Sequence, residues 1–291
     1  LDGARTKFLP FNRGTAEGGA GNPVEPGQHP THYVWEETLE RGMLLRIIRD
    51  YLFIDESGKL IFPRYHQLDA VLKLERDVRE RGVGGRYLVW HSAGSGKTKT
   101  IGWLAFRLLN LPDIRTVVVI SDRKVIDSQL AGQALTMDGQ TGRVRWADDG
   151  AELDALLAEG GFIVVTTLQK FPRILQRLQE RPAEKCAILI DEAHSSMAGK
   201  TMSKLSETLS GKSLADAAEL DEAYEEKEDG QRALLDLEGR IVAAKNATYV
   251  AFTATPQTQT MELFGTRNPR GKDCFHKYSM KQAIEEEFVL N

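Results

Sequence analysis

Residues 86–110 read RYLVWHSAGSGKTKTIGWLAFRLLN. The run RYLVWH (86–91) is short, apolar and aromatic, as a strand buried on both faces would be. The next residues, SAGSG, are all small. KTKTIGWLAFRLLN then carries its apolar residues at helical spacing. A strand, a glycine loop and a helix in this order turn consecutive backbone N–H groups inward at a helix N-terminus, where they cradle phosphate. Gly94 and Gly96 supply the backbone freedom such a loop needs, and Ser95 between them adds little bulk. Lys97 is placed to reach the β- and γ-phosphates, and the Thr98 hydroxyl to reach Mg²⁺.

The loop departs from the general pattern G-x-x-x-x-G-K-[ST] at its first position, where His91 stands. That position lies at the strand end, before the loop wraps the phosphate, so its glycine is the most easily replaced. Two further triplets, GKT at 199–201 and GKS at 211–213, compete for the same reading. In HSSMAGKT (194–201), Met197 occupies the place of Gly94, and its side chain would crowd a phosphate. In SETLSGKS (206–213) no strand leads in, and Gly211 reads as a helix stop. The first site is therefore chosen.

Outward from the loop, strand-like runs recur between helical stretches: TVVVIS (116–121), FIVVTT (162–167), AILIDE (187–192) and TYVAFTAT (248–255). Near-continuous apolar strands alternating with helices predict an α/β fold, a mainly parallel sheet in a three-layer sandwich with right-handed crossovers. Ligands of such sheets sit beyond the C-terminal strand ends. Residues 1–31 are rich in Gly and Pro and read as a linker. Residues 33–54 show helical spacing, with Leu39, Met43, Leu44, Ile47, Ile48 and Tyr51 apolar, and a second helix starts near Tyr65. The expected division is a linker and helical segment at 1–62 and a sheet domain at 63–291. An insertion is expected at about 199–246, with an acidic centre at 216–229.

Chemistry gathers at the strand ends. Asp191 and Glu192 follow AILI directly. Paired carboxylates there suit Mg²⁺ binding by the first and orientation of an attacking water by the second. Thr253 and Thr255 flank a small residue at another strand end, where they could bond the carboxylates and His194 and couple to nucleotide state. Gln67, one helix upstream of the loop, has an amide that matches the N6/N7 edge of adenine. Arg123, Lys124, Thr166, Thr167 and Lys170 lie after two further strands and suit contacts to a nucleic-acid backbone.

The chain has 291 residues, 41% hydrophobic and 27% charged, with a net charge of −4. Without a general basic field, any nucleic-acid contact must come from a few placed groups. No apolar run is long enough for a transmembrane helix, no secretory signal opens the chain, and the two cysteines cannot form a framework. A reducing cytoplasm is the expected location, with no membrane partner.

The order Gln67, GSGKT, SDRKVIDSQ, TTLQKF, DEAH, TAT resembles superfamily 2 helicases and translocases. The phrases PFNRGTAEGGAGNP, VWEETLERGMLLRII, FPRYHQLDAV, VISDRKVIDSQL, IDEAHSS and YSMKQAIEEEFVL carry a closer likeness to the restriction (R) subunit of type I restriction-modification enzymes. The resemblance implies a RecA-like P-loop NTPase domain, the first of two motor domains. It implies ATP and Mg²⁺ as cofactors, with ATP in the cleft between the motor domains. It also implies duplex DNA as the translocated partner, and a complex with modification and specificity subunits. The family's nuclease domain and second motor domain are expected outside these residues, so the fragment alone should turn over little ATP. Two alternatives stay open: an RNA or DNA-repair helicase of the same superfamily, and a nucleotide-binding module inactive in isolation.

Overall fold

A computed structural model describes residues 9–55, 57–121, 142–147, 149–193, 239–269 and 271–289. In chain order the elements begin with α1 (Arg41–Asp50), a short hairpin of β1 (Phe53–Ile54) and β2 (Leu60–Ile61), and α2 (Tyr65–Arg81). Strand β3 (Arg86–His91), helix α3 (Lys97–Leu109) and β4 (Thr116–Ser121) follow. Then come β5 (Val144–Trp146), α4 (Gly150–Glu159), β6 (Ile163–Thr167), α5 (Phe171–Glu180) and β7 (Cys186–Ile190). The chain continues through β8 (Ala247–Thr253), α6 (Thr258–Phe264), and a hairpin of β9 (Thr266–Asn268) and β10 (Gly271–Asp273). It ends in β11 (His276–Tyr278) and α7 (Met280–Glu285).

Seven strands form one sheet in the order β11-β3-β8-β7-β4-β6-β5, and every neighbouring pair is parallel. The pleat sorts their side chains onto two faces. Val117, Val119, Ala187, Leu189, Val250 and Phe252 pack with Leu104 and Leu108 of α3 and Leu68, Val71 and Leu74 of α2. Val118, Ile120, Ile188, Ile190, Tyr249 and Ala251 pack with Leu153 and Leu157 of α4 and Ile174, Leu175 and Leu178 of α5. The result is the three-layer, mainly parallel α/β sandwich expected from the strand runs. Each such aliphatic side chain contributes roughly 1.5–3 kcal/mol on burial, opposed by the entropy of ordering the chain.

One ion network ties the first layer together. Glu75, only 1% exposed, bonds Arg46 of α1, Arg79 of its own helix at 2.6 Å and Arg107 of α3 at 3.0 Å. Without those three cations a carboxylate at this depth would be costly.

Two local features differ from the sequence reading. The helical stretch expected over 33–54 is split: a π-helical turn, Val34–Thr38, stops at Leu39, and α1 starts afresh. Glu40 causes the restart, because its extended backbone lets the carboxylate accept from Gly42 N at 2.8 Å and Met43 N at 3.1 Å. The strand in AILIDE ends at Ile190, so Asp191 and Glu192 follow it directly as expected, and Asp191 N still donates to Ile120 O of β4 at 2.9 Å. Of the stretch read as an insertion, residues 239–243 are helical, and Ile241 and Ala244 are buried in the core. The two competing triplets, at 199–201 and 211–213, and the acidic stretch at 216–229 lie outside the described residues.

Candidate nucleotide-binding site

The segment between β3 and α3 has the conformation that its glycines permit. Gly94 sits at φ 73° and Gly96 at φ 79°, both in the left-handed region that a side chain resists. Gly96 is the N-cap of α3, so the loop delivers its N–H groups to a helix N-terminus. A Cβ at Gly96 would meet Gln67 Nε2 at 2.7 Å. Ser92 and Ser95 are buried, and neither hydroxyl has a hydrogen-bond partner among the described residues. Buried orphan hydroxyls in a phosphate-shaped loop are donors without an acceptor.

Lys97 is the first residue of α3 and is 8% exposed. Its Nζ lies 3.2 Å from Glu192 Oε1. That pairing crosses the sheet, because β8 separates β3 from β7. Asp191 is 4% exposed, and its carboxyl is pushed up to about 6. Burial is the main cause and the Glu192 charge adds to it, while Lys97 and a bond from Glu192 N at 2.9 Å act the other way. Glu192 has φ 48°, a strained value for a residue with a side chain, and such strain clusters at functional positions. The Thr98 hydroxyl and the Asp191 carboxylate are hard oxygen donors, the class Mg²⁺ prefers. No cluster of three or more potential metal-binding His, Cys, Asp or Glu side chains occurs among the described residues. Mg²⁺ in phosphate sites commonly rests on one or two carboxylates, water and the phosphates themselves.

Gln67 is drawn to the loop itself. It is 3% exposed, its Nε2 donates to the carbonyls of Ser95 (3.3 Å) and Gly96 (3.1 Å), and its Oε1 accepts from Arg64 N at 2.9 Å. The amide read as an adenine contact therefore braces the glycine loop, a task that spacing alone did not reveal. Beside it opens a cavity of about 510 Å³ lined by Phe11, Val34, Ile61, Phe62, Gly96 and Lys99 among others. Its apolar walls come mostly from the segment at 1–62, read from the sequence as a linker and helical segment.

The remaining expected residues divide. Thr253 is buried at the end of β8, and its hydroxyl accepts from Thr255 N at 3.2 Å, while Thr255 is exposed. Thr167 and Lys170 are half-buried, and Lys170 Nζ donates to the Ala147 carbonyl at 2.9 Å. Thr166 corrects the reading. It is 0% exposed and its hydroxyl donates to Ala147 O at 3.3 Å, because the pleat turns it into the layer of α4 and α5. It does not present itself to a nucleic-acid backbone. Arg123, Lys124 and His194 lie outside the described residues.

A parallel α/β sandwich with a left-handed glycine loop and a buried lysine after β3, and an acidic pair after β7, defines a P-loop NTPase domain of RecA-like architecture. The model of the SWI2/SNF2 ATPase family matches residues 66–216, more than half of the chain, and the chain belongs to that family. It is 30% identical over 272 residues to the type I restriction enzyme HindI endonuclease subunit of Haemophilus influenzae, covering 84% of this chain and 22% of that protein. It is 27% identical over 258 residues to the type I restriction enzyme SsaAORF53P endonuclease subunit of Staphylococcus saprophyticus, covering 85% of this chain and 23% of that protein. These relatives bear out the likeness to R subunits, of whose length the chain spans less than a quarter. The SWI2/SNF2 ATPase core of Sulfolobus solfataricus, solved with double-stranded DNA, is 15% identical at a TM-score of 0.45, over 75% of this chain and 37% of that one. No described helix is long and apolar enough to cross a membrane.

Proposed function

We propose that residues 63–291 are the first motor domain of a DNA translocase of the type I restriction R-subunit kind, preceded by a linker and helical segment at 1–62. The observation that carries this reading is the Lys97–Glu192 pair at 3.2 Å, set across the sheet beneath the glycine loop with Asp191 beside it. In this reading ATP places its phosphates in the loop of Gly94, Ser95, Gly96, Lys97 and Thr98. Its base enters the apolar cavity beside Gln67. The incoming phosphates take Lys97 from Glu192, because a polyanion outcompetes one carboxylate for a buried ammonium. Glu192 is then released to orient the attacking water. Mg²⁺, held by Thr98 and Asp191, would neutralise phosphate charge and favour the ionised form of the desolvated Asp191 carboxyl.

Thr253, Thr255 and His194 would couple nucleotide state to the rest of the sheet edge. Arg123, Lys124, Thr167 and Lys170 would line the backbone of duplex DNA along it. Turnover in this reading needs groups from a second motor domain facing the loop, and DNA cleavage needs a nuclease domain and the modification and specificity subunits. Calorimetric titration with ATP and Mg²⁺ tests the site. Lys97→Ala should weaken binding by about 10- to 100-fold, the worth of a charge-assisted contact. Lys200→Ala and Lys212→Ala should leave it unchanged, and equal losses at all three lysines would overturn the site assignment. Stimulation of the full-length protein's ATPase by duplex DNA supports the translocase reading. Stimulation by single-stranded RNA supports the helicase alternative instead.

A further inference from the structure

Beneath the glycine loop lies a layer of buried histidines that the nucleotide reading does not use. His91, the last residue of β3, is 0% exposed. Its Nε2 lies 2.9 Å from Nδ1 of His276 in the neighbouring strand β11. His276 Nε2 lies 3.0 Å from Asp69 Oδ2 on α2, and the same carboxylate oxygen is held by Lys73 at 2.6 Å. His66, also on α2, has its Nε2 3.0 Å from the Ser95 carbonyl, and its ring stacks on Tyr278 at 3.7 Å between centroids. The backbone joins in, since Ser92 N donates to Tyr278 O at 3.0 Å.

With both imidazoles neutral, the chemistry gives this chain of bonds one direction. Asp69 as a carboxylate only accepts, so a neutral His276 carries its proton on Nε2 and offers a lone pair at Nδ1. His91 must then donate from Nε2, which leaves its Nδ1 a lone pair, and that atom has no hydrogen-bond partner among the described residues. Burial, then the neighbouring His276, His66 and Lys97, hold His91 well below the usual imidazole range, in agreement with a neutral ring. Asp69 is kept low although burial alone would raise it, because the hydrogen bond from His276 and the Lys73 ammonium favour the carboxylate.

We propose that Asp69, His276 and His66 are positioning residues for the nucleotide loop, fixing its start through His91 and its turn through the Ser95 carbonyl. On this view the last strand of the sheet is part of the nucleotide site, and His91 takes the place of the usual first glycine because it is the loop's anchor to that strand. The inference rests on the ATP-binding reading above. The C-terminal residues continue the same contact. An added Cβ at Gly94 would meet Val289 Cγ2 at 3.3 Å, and the Arg64 guanidinium lies 3.4 Å over the Phe288 ring.

The test is calorimetric titration of the 291-residue chain with ATP and Mg²⁺, with the unfolding midpoint of each variant measured alongside. His276→Leu, which keeps bulk but no acceptor, should weaken ATP by about five- to tenfold, the worth of one buried hydrogen bond. His276→Asn, whose amide oxygen lies near the place of Nδ1, should recover affinity to within about twofold. Imidazole ¹⁵N spectra of the wild type should show His91 protonated on Nε2 and its signals displaced by ATP. If His276→Leu binds like wild type, or both variants weaken alike, the positioning role is overturned while the nucleotide reading stands. If the wild type itself fails to bind ATP, both fall. Should His276→Leu not fold, a His91 protonated on Nδ1, or indifferent to ATP, overturns the proposal by itself.

Discussion

Mild acid should cost this fold stability through His66, and His66→Gln should remove that cost. His66 is 5% exposed and its pKa is lowered from 6.5 to about 3, chiefly by burial, which outweighs the opposing bond to Ser95, with smaller lowering effects from Arg64 and His276. A histidine depressed in the folded state binds its proton in the unfolded chain first. Its contribution is therefore fully present above 6.5, and it is lost as pH falls from there toward about 3. At pH 5 the unfolded imidazole is almost fully protonated and the folded one almost fully neutral. The linkage relation gives a loss of about 2 kcal/mol between pH 7 and pH 5. Asp191 acts in the opposite sense, because a carboxyl raised to about 6 takes up its proton earlier in the folded state. It returns about 1 kcal/mol over the same interval. The net slope of the wild type is thus a difference, and the variant isolates one part of it. Gln at 66 can still donate to the Ser95 carbonyl but has no proton to gain. Urea unfolding of both proteins at pH 7 and pH 5 should show the variant losing less stability on acidification, by about 2 kcal/mol. Equal losses in the two proteins would refute a neutral His66 beneath the loop.

Two further outcomes follow from the geometry. Glu75→Ala removes the carboxylate at the centre of Arg46, Arg79 and Arg107, and leaves at least Arg107, which is 11% exposed, facing a buried void. Its unfolding free energy should fall by about 3–5 kcal/mol, read as a lowered Tm, with Asp50 and solvent moderating the loss. Gly96→Ala meets both a left-handed backbone angle of 79° and Gln67 Nε2 at 2.7 Å from the new Cβ. ATP affinity should drop by at least about tenfold while the far-ultraviolet circular dichroism stays unchanged, since the strain is confined to the loop.

How much was legible in the sequence differs between the sheet and the site. The runs 86–91, 116–121, 162–167, 187–192 and 248–255 each became a strand within two residues of the expected ends. Burial on both faces leaves little freedom in composition, so these strands announce themselves. The short edge strands β5 and β11, VRW and HKY, carry charged residues and no run, and only their neighbours' ladders reveal them. Thr166 shows the limit at a single residue. Its place in a polar strand end suggested an outward hydroxyl, but the pleat decided its face.

The sequence by itself determined that a glycine loop joins a buried strand to a helix, and that an acidic pair ends another buried strand. Local dihedral demands and apolar runs are properties of neighbouring residues, and neighbours are what a sequence records. Only the tertiary structure decided that Glu192 reaches Lys97 across an intervening strand. It also decided that Gln67 braces the loop and that His276, 185 residues from His91, bonds to it. Those pairings depend on strand order and register, and these are set by the packing of the whole sheet against its helices, not by any stretch read alone.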